Sequence, residues 1–337
     1  MKIHLTLLFS CWIAFSAMAS KPVVLATASM WADMAKVIGG ELIEVEMIVP
    51  VGSDPHLYEP TPGDLRKVHR ADLILINGLT FEGWLEKLIQ SSESKAFRKI
   101  LTEGIVPITN PHFKNSTDPH AWMDPINGKT YANNLATALI AIDSLHEKEY
   151  RFNLNIYLQE LDDLHNYISS RVLEIPMEHR VLITSHDAFH YFGNRYGLEV
   201  ESLLGTSTDA DVQTGDFLRV NQLIKNQKIP AIFIESTINP KLMEQISKEN
   251  KVKIGGKLFA DSLGDEGTMA DTYIGMLRSN AEIIFNALSQ REGTTELDTN
   301  HHKSNWSFDS SNYYFFIPLF LLLILAVYFL LKRMRSI

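Results

Sequence analysis

The sequence contains the tripeptide Asp-Pro-His twice, ending at His56 and at His120, and each copy lies in a predicted loop. The first copy belongs to the stretch 52–62, which follows an apolar run typical of a buried strand. Three prolines in this stretch prevent a helix or a sheet ladder from continuing through it. In open α/β sheets, ligands bind just beyond the carboxyl ends of strands. Two stiff loops that each present an imidazole therefore indicate that something is bound between them.

Three more polar residues are predicted at strand ends in the second half of the chain. His186 and Asp261 directly follow predicted strands, and Glu235 closes another. Neutral imidazole combined with carboxylate suits a first-row divalent metal, especially Zn²⁺. Along the chain, the three histidines and Asp261 are separated by 64, 66 and 75 residues, which matches neither a zinc finger nor an H-E-x-x-H helix. On spacing alone, each residue could equally be an ordinary hydrogen-bonding group.

The remaining histidines are weaker candidates. His112 lies in a loop near His120 and is ambiguous. Seven others lie in the amino-terminal segment, in polar helical contexts or in a polar segment near the carboxyl end, and we predict solvated residues at these positions: His4, His69, His146, His165, His179, His301 and His302.

Length and composition indicate a folded chain with an acidic surface. The 337 residues are 45% hydrophobic and 21% charged, which fits a globular protein. Of the 31 basic residues, four lie at the two ends of the chain, which leaves 27 basic against 40 acidic residues between them, a formal charge of −13. Such a charge argues against nucleic acid as a partner and is compatible with attracting cations.

The amino-terminal end is predicted to direct export. Residues 1–19 contain a basic start, an apolar stretch and the small-residue sequence Ala17-Met18-Ala19, so a signal peptide is expected, with Ser20 as the first mature residue. A short buried helix is the alternative interpretation. The only cysteine, Cys11, falls inside this segment, where Leu8-Phe9-Ser10-Cys11 faintly resembles a lipoprotein cleavage box. The mature chain is therefore predicted to have no disulfide and no thiolate ligand.

The carboxyl-terminal end is predicted to anchor the protein. Residues 313–331 carry no charge and are long enough to span a bilayer, and the basic residues of 332–337 follow at once. The positive-inside tendency places this tail in the cytoplasm and the globular part outside the inner membrane. A glycosylphosphatidylinositol signal has a similar apolar tail, but the basic cluster argues against it. The polar segment 291–312 is predicted to be a stalk.

Between these ends, strands and helices alternate, which predicts an α/β fold with mainly parallel sheets flanked by helices. The alternation is interrupted by a long helical pattern at 148–176, whose apolar residues recur every three or four positions. We predict two lobes, 20–147 and 177–290, joined by this single rigid helix.

Four ordered motifs resemble the metal-binding, extracytoplasmic substrate-binding proteins of zinc/manganese ABC importers, the TroA-like or adhesin-lipoprotein family (cluster A-I). They are Asp54-Pro55-His56-x-Tyr58-x-Pro60-x-Pro62, Asp118-Pro119-His120-x-Trp122-x-Asp124-Pro125, Thr184-Ser185-His186-Asp187-Ala188-Phe189-x-Tyr191-Phe192 and Phe259-x-Asp261-Ser262-Leu263-Gly264. With the elements between them, the resemblance covers about residues 22–290. Members of this family have two lobes joined by a rigid helix and hold a metal between them.

The resemblance implies metal ligands at His56, His120, His186 and Asp261, with Glu235 orienting a ligand histidine from outside. It also implies, as partners, an ABC permease and its cytoplasmic ATPase. Three imidazoles favour Zn²⁺ over Mn²⁺ or Fe²⁺ as the transported ion, and manganese-specific members often carry Glu at the position of His186. The long His-rich loop of many zinc-specific members is missing here, and members usually reach the membrane by an amino-terminal lipid or remain free in the periplasm.

Two other functions are compatible with a histidine-rich exported protein. An exported zinc metallohydrolase would use three histidines and a carboxylate, but catalytic zinc keeps an open position for water, and no motif here places a general base beside the ligands. A surface adhesin or interaction protein of the same fold is compatible with metal binding. The leading prediction is a binding protein and not an enzyme, whose metal affinity falls below about pH 6 as ordinary histidines protonate.

Overall fold

The computed structural model describes residues 20–109, 117–208, 212–227 and 229–289. The first half of the chain forms a four-stranded sheet in the order β2-β1-β3-β4, in which every neighbouring pair is parallel. The strands are β1 (Val23–Ala26), β2 (Glu44–Met47), β3 (Leu73–Ile76) and β4 (Phe97–Ile100). The parallel pairing at the centre explains the uninterrupted apolar runs of β1 and β3, because both faces of these strands are covered.

Four helices surround this sheet: α1 (Ser29–Gly39), α2 (Pro62–Arg70), α3 (Leu85–Ser92) and α4 (Pro125–Ile142). Helix α2 begins with a reciprocal pair of hydrogen bonds: the Thr61 side chain accepts one from the Asp64 backbone N–H, and the Asp64 carboxylate accepts one from the Thr61 backbone N–H. This capping box, with a proline in the first turn, explains why a helix begins directly after the first Asp-Pro-His loop.

The long helical pattern forms α5 (Glu147–Arg171), which is 25 residues and therefore about 37 Å long. The α-helix ends at Arg171 and not near 175, because a 3₁₀ turn follows at Val172–Glu174. Its inward face packs on α1 and α4 and also on α9, the last helix of the chain. The buried side chains recur every three or four positions, as predicted: Tyr150, Leu154, Tyr157, Leu161, Leu164 and Ile168.

The second half of the chain contains two pairs of parallel strands, β5 with β6 and β7 with β8, and β5 lies beside β7. Its elements in chain order are β5 (Val181–Thr184), α6 (His190–Tyr196), β6 (Glu199–Ser202), α7 (Thr214–Gln227), β7 (Ala231–Glu235), α8 (Lys241–Asn250), β8 (Lys253–Leu258) and α9 (Tyr273–Leu288). The predicted α/β fold with parallel sheets and flanking helices is confirmed.

One continuous cluster of buried apolar side chains runs from β1, α1 and α4 through α5 to α6 and α9. Two smaller clusters fill the outer faces, one beneath α2 and α3 and one beneath α7 and α8. The lobe boundaries expected from the sequence remain a prediction, since the main core joins residues from both sides of the expected division.

Four predicted segments lie outside the described residues: the signal peptide (1–19), the stalk (291–312), the transmembrane helix (313–331) and the basic tail (332–337). Among the residues that the structure does describe, no helix combines the length and the apolar character needed to cross a membrane.

Candidate metal centre

The two Asp-Pro-His copies fold in the same way. In each, the aspartate Oδ1 accepts a hydrogen bond from the histidine backbone two residues later, at 2.8 Å for Asp54 with His56 and 2.8 Å for Asp118 with His120. Such an Asx-type turn orients the backbone locally. The first loop is further held by Trp84, whose indole N–H donates to the Pro55 carbonyl at 3.0 Å. The repeated sequence thus folds into the same loop geometry twice, and this geometry orients the imidazoles of His56 and His120.

The other two predicted ligands follow strands of the second half. The His186 backbone N–H donates to Glu235 Oε1 at 2.8 Å, which ties the end of β5 to the end of β7. Asp261 follows β8, and the carbonyl of the preceding residue, Ala260, accepts a hydrogen bond from the Trp122 indole at 2.9 Å. Because Trp122 lies two residues after His120, this bond fixes the second Asp-Pro-His loop against Asp261.

The structure brings all four predicted ligands together. The Nε2 atom of His120 lies 3.3 Å from that of His56 and 3.3 Å from that of His186. The carboxylate of Asp261 lies 3.8, 3.4 and 3.2 Å from the same three nitrogens, in the order of the chain. The side chains are buried, with 5% exposure for His56 and none for the others. Of these four side chains, only that of His56 reaches solvent.

Carboxylates behind two of the imidazoles decide which ring nitrogen faces the centre. Asp118 Oδ1 lies 2.8 Å from Nδ1 of His120, and Glu235 Oε2 lies 2.6 Å from Nδ1 of His186. A carboxylate in this position holds the ring proton on Nδ1 and leaves the Nε2 lone pair for a cation. Lone pairs that converge at 3.3 Å repel one another unless a cation or a proton lies between them.

The charges of the metal-free cluster also indicate that a cation or a proton lies between the converging nitrogens. Burial alone would lower the pKa of His120, but its hydrogen bonds to Asp118 and Asp261 raise the pKa to about 9. Burial also opposes ionisation of His186, yet the charges of Glu235 and Asp261 raise its pKa well above the ordinary value. Burial would raise the pKa of Asp261, but the charges of the histidines hold it well below the ordinary value. These surroundings therefore favour a positive charge on the imidazoles beside the Asp261 carboxylate.

The Asp261 carboxylate also lacks other partners. Its two oxygens are buried, and within the described ranges neither meets a hydrogen-bond donor apart from the imidazoles of the centre. A buried carboxylate without donors is unfavourable unless a cation compensates it.

The separations fit a small four-coordinate ion. Four ligand atoms placed tetrahedrally at about 2.0–2.1 Å from a central ion lie roughly 3.3–3.4 Å apart, and these bond lengths are those of zinc with nitrogen and oxygen ligands. The two nitrogen–nitrogen distances at His120 are both 3.3 Å. Asp261 lies farther from His56, at 3.8 Å, and all four ligand atoms lie within 4.8 Å of one another. The arrangement can therefore hold one transition-metal ion once the wider separations close.

Aromatic rings from the first half of the chain cover one side of the centre. The Phe81 ring stands edge-on to His56 at a centroid distance of 5.0 Å, and the Trp122 ring lies 5.2 Å from His120. Sequence reasoning did not identify these walls, nor Asp118 as the partner of a ligand. The repeated Asp-Pro-His motif was the available signal for Asp118, whereas nothing local distinguishes Phe81.

The other histidines lie elsewhere. His69 is exposed as predicted, but three others are half-buried, and each has a ring nitrogen within hydrogen-bond distance of a neighbour: His146 with Asp143, His165 with Tyr196 and His179 with the Leu288 carbonyl. The prediction of fully solvated residues is wrong for these three, since helix packing covers them. His190 contacts Asp187 at 2.8 Å and lies outside the four-residue centre. His4, His112, His301 and His302 lie outside the described residues.

Comparison with known proteins identifies the family. Residues 24–287 match the family described as "Zinc-uptake complex component A periplasmic" (ZnuA). A similar protein is the manganese ABC transporter substrate-binding lipoprotein PsaA of Streptococcus anginosus, 33% identical over 79% of this chain and 89% of that one. Another is the manganese-binding lipoprotein MntA of Halalkalibacterium halodurans, 32% identical over 79% of this chain and 88% of that one.

Solved structures show the same fold. The periplasmic zinc-binding protein TroA from Treponema pallidum has a TM-score of 0.77 and is 34% identical, over 80% of this chain and all of that one. A manganese-bound periplasmic metal-binding protein from Candidatus Liberibacter asiaticus has a TM-score of 0.74 at 29% identity, with the same coverage. The chain belongs to the ZnuA family of periplasmic zinc-uptake components.

Proposed function

We propose that this protein is the metal-binding, substrate-binding component of an ABC importer. It captures one divalent transition-metal ion with His56, His120, His186 and Asp261, and delivers the ion to a membrane permease that a cytoplasmic ATPase drives. The observation that carries the proposal is the convergence of three Nε2 atoms and one carboxylate without other donors, all within 4.8 Å of one another.

A binding role fits the centre better than catalysis. Four protein ligands complete a tetrahedral shell, whereas catalytic zinc keeps a position open for water and substrate. Similar proteins are named as substrate-binding lipoproteins of ABC transporters, in agreement with the prediction of a binding protein and not an enzyme. No contact in the described part of the chain favours the metallohydrolase or the adhesin alternative.

Zn²⁺ is the ion that we propose first. Three imidazoles form a nitrogen-rich set, which suits Zn²⁺ better than the oxygen-preferring Mn²⁺, and the 3.3 Å nitrogen separations fit the short bonds of zinc. The similar proteins are named for both ions, so Mn²⁺ and Fe²⁺ are the competitors to test.

Metal analysis of the purified ectodomain, residues 20–311, tests the function directly. After loading with Zn²⁺, Mn²⁺ or Fe²⁺ and removal of excess metal, we expect one tightly held ion per chain and a higher melting temperature. At a free metal concentration about a thousand times the Kd, binding stabilises the folded state by about 4 kcal/mol. A protein that retains none of the three ions and melts unchanged in their presence would rule out the proposal.

Metal affinity should rise with pH up to about 9. In the metal-free protein, hydrogen bonds to Asp118 and Asp261 raise the pKa of His120 to about 9 despite its burial, so the metal must displace a proton at neutral pH. The same shift stabilises the metal-free fold fully below about pH 6.5 and is lost as the pH rises through 9. Calorimetry in buffers of different ionisation enthalpy should detect released protons at pH 7. An affinity that is constant from pH 6 to 9 would contradict this result.

We also propose that the protein is exported and tethered to the inner membrane by residues 313–331. The similar proteins are named lipoproteins, so acylation of Cys11 is the competing anchor. Deletion of 313–337 should release the protein into the soluble periplasmic fraction, while Cys11→Ser should leave it in the membrane fraction. The opposite pattern, measured by fractionation and immunoblotting, would assign the anchor to the amino-terminal lipid.

A further inference from the structure

The segment between β3 and α3 has an unusual backbone. Gly78, Leu79 and Thr80 all have positive φ angles, of 85°, 52° and 67°. Only glycine tolerates the first position, because a Cβ there would lie 2.7 Å from Ile100 Cγ2. The next two residues are not glycine, and a left-handed conformation is unfavourable for both, most of all for β-branched Thr80. Strain of this kind persists only where surrounding contacts hold it, and it is concentrated at functional sites.

Glu82 supplies those contacts. Its buried carboxyl group accepts hydrogen bonds from the Thr27 hydroxyl at 2.6 Å and from the Asn77 backbone at 2.7 Å through Oε1, and from the Gly78 backbone at 3.2 Å through Oε2. These bonds tie Glu82, two residues after the turn, to Asn77 and Gly78 at the beginning of the turn. Burial raises the pKa of Glu82 to about 7, although the bonds from Thr27 and Asn77 lower it. Burial of a carboxyl group at this position is unfavourable for folding. Its hydrogen bonds support the turn, which explains its presence there.

The turn delivers two residues to the metal centre. Phe81 is 2% exposed, and its ring stands edge-on to both imidazoles of the first half, with centroid distances of 5.0 Å to His56 and 6.3 Å to His120. On the other side of the turn, the Asn77 side-chain amide donates to the Pro119 carbonyl at 3.0 Å, directly before His120. One short segment thus contacts both Asp-Pro-His loops.

We propose that Glu82 is a positioning residue for the metal centre, and that it acts by holding the left-handed turn 78–80 so that Phe81 and Asn77 fix the separation of His56 and His120. This inference rests on the proposed function. The hydrogen bonds of Glu82 run to Thr27, Asn77 and Gly78. The fixed 3.3 Å separation of the two nitrogens suits short metal–nitrogen bonds. A relaxed turn lets the imidazoles move apart, and that favours an ion with longer bonds, so Glu82 contributes to the preference for Zn²⁺ over Mn²⁺.

Two substitutions test the inference, with a matched control. Glu82→Gln keeps the size of the side chain but places an amide NH₂ group against the backbone donors of the turn, and Phe81→Leu removes the ring that both imidazoles contact. Phe285→Leu is the control, since Phe285 is 1% exposed in the same apolar cluster and lies on α9. Competition with a chelator measures the Kd for Zn²⁺ and for Mn²⁺, and the melting temperature of the metal-free protein reports general damage to the fold.

We expect Zn²⁺ affinity to fall by about tenfold or more in Glu82→Gln and in Phe81→Leu, as is usual when an outer partner of a metal ligand is lost. Mn²⁺ affinity should fall less, so that the ratio of the two constants changes. Phe285→Leu should lower the melting temperature without changing either constant. Because Glu82 acts through Phe81, the double variant should lose less affinity than the product of the two single losses. The d–d absorption of bound Co²⁺ should shift in both variants and not in the control.

The outcomes separate the inference from the function on which it rests. If the wild-type protein binds no divalent ion, the proposed function fails. If the wild type binds and both variants retain its two constants and its Co²⁺ spectrum, the inference is overturned, and Glu82 serves only the stability of the fold. Should Glu82→Gln fail to fold, Phe81→Leu decides the question, since removal of a ring leaves the hydrogen bonds of the turn intact.

Discussion

The substitution His120→Ala should weaken Zn²⁺ binding by roughly 70- to 850-fold while the fold is retained. His120 is the central ligand, since its Nε2 lies within 3.4 Å of nitrogen or oxygen atoms from all three other ligands. Structural zinc sites with four ligands bind with about 10–16 kcal/mol, so an equal share is about 2.5–4 kcal/mol per ligand, or a factor of roughly 70 to 850. Calorimetry or chelator competition measures the loss.

A histidine outside the centre provides the control for this prediction. His165 is half-buried on α5, where its Nδ1 lies 3.1 Å from the Tyr196 hydroxyl, so His165→Ala removes a hydrogen-bonded imidazole that lies outside the centre. It should leave the affinity unchanged. Circular dichroism should show the same helix content in both variants, because His120 lies in the loop before α4 and not within an α-helix. Wild-type affinity in a folded His120→Ala protein would refute the assignment of the centre.

The second large effect concerns the choice of ion. Replacing His186 by glutamate exchanges a nitrogen ligand for oxygen, which Mn²⁺ prefers, but it also brings a second carboxylate toward Glu235, now 2.6 Å from the imidazole. We therefore pair His186→Glu with Glu235→Gln to remove the repulsion. The ratio of Zn²⁺ to Mn²⁺ affinity should fall by about ten- to a hundredfold in the double variant, since the ligand type sets that preference.

The single variants of this pair separate the two roles. Glu235→Gln alone weakens the hold on the His186 ring proton and should reduce the affinity for both ions by about 10- to 100-fold, with little change in their ratio. His186→Glu alone should bind both ions more weakly than the double variant, because Glu235 then repels the new carboxylate or shares a proton with it. Competition titrations with both metals give the ratios. If the double variant keeps the wild-type ratio, His186 does not set the preference.

Local sequence patterns predicted most of the fold, and the exceptions have physical causes. The edge strand β4 was not predicted, because its residues Phe97 to Ile100 are mainly exposed and two of the four are basic, as edge strands often are. Helix α3 starts only at Leu85, because the left-handed turn precedes it. Helix α9 starts at Tyr273, since Thr272 caps it. The turn before α3 also depends on a partner distant in the sequence, because Thr27 donates a hydrogen bond to Glu82.

The resemblance predicted the four candidate ligands and also Glu235 behind one of them, but not Asp118, nor Phe81 and Trp122 as walls. A histidine or aspartate directly after a predicted strand is visible in the chain, and the repeated motif marks two of them. The contacts of Trp122 with Ala260 and of Glu235 with His186 join residues 138 and 49 positions apart. Such contacts join elements that are distant in the sequence, so no local pattern encodes them.

The continuous apolar cluster also bears on how long an ion stays bound. Opening the centre widely would separate residues of the two halves that share this cluster, and exposing each 100 Å² of apolar surface costs about 2.5 kcal/mol. Because opening the centre is costly, we expect the bound ion to leave slowly. If import turns over faster than this escape, the permease must distort the centre, and the rate of release is then a property of the complex and not of this chain alone.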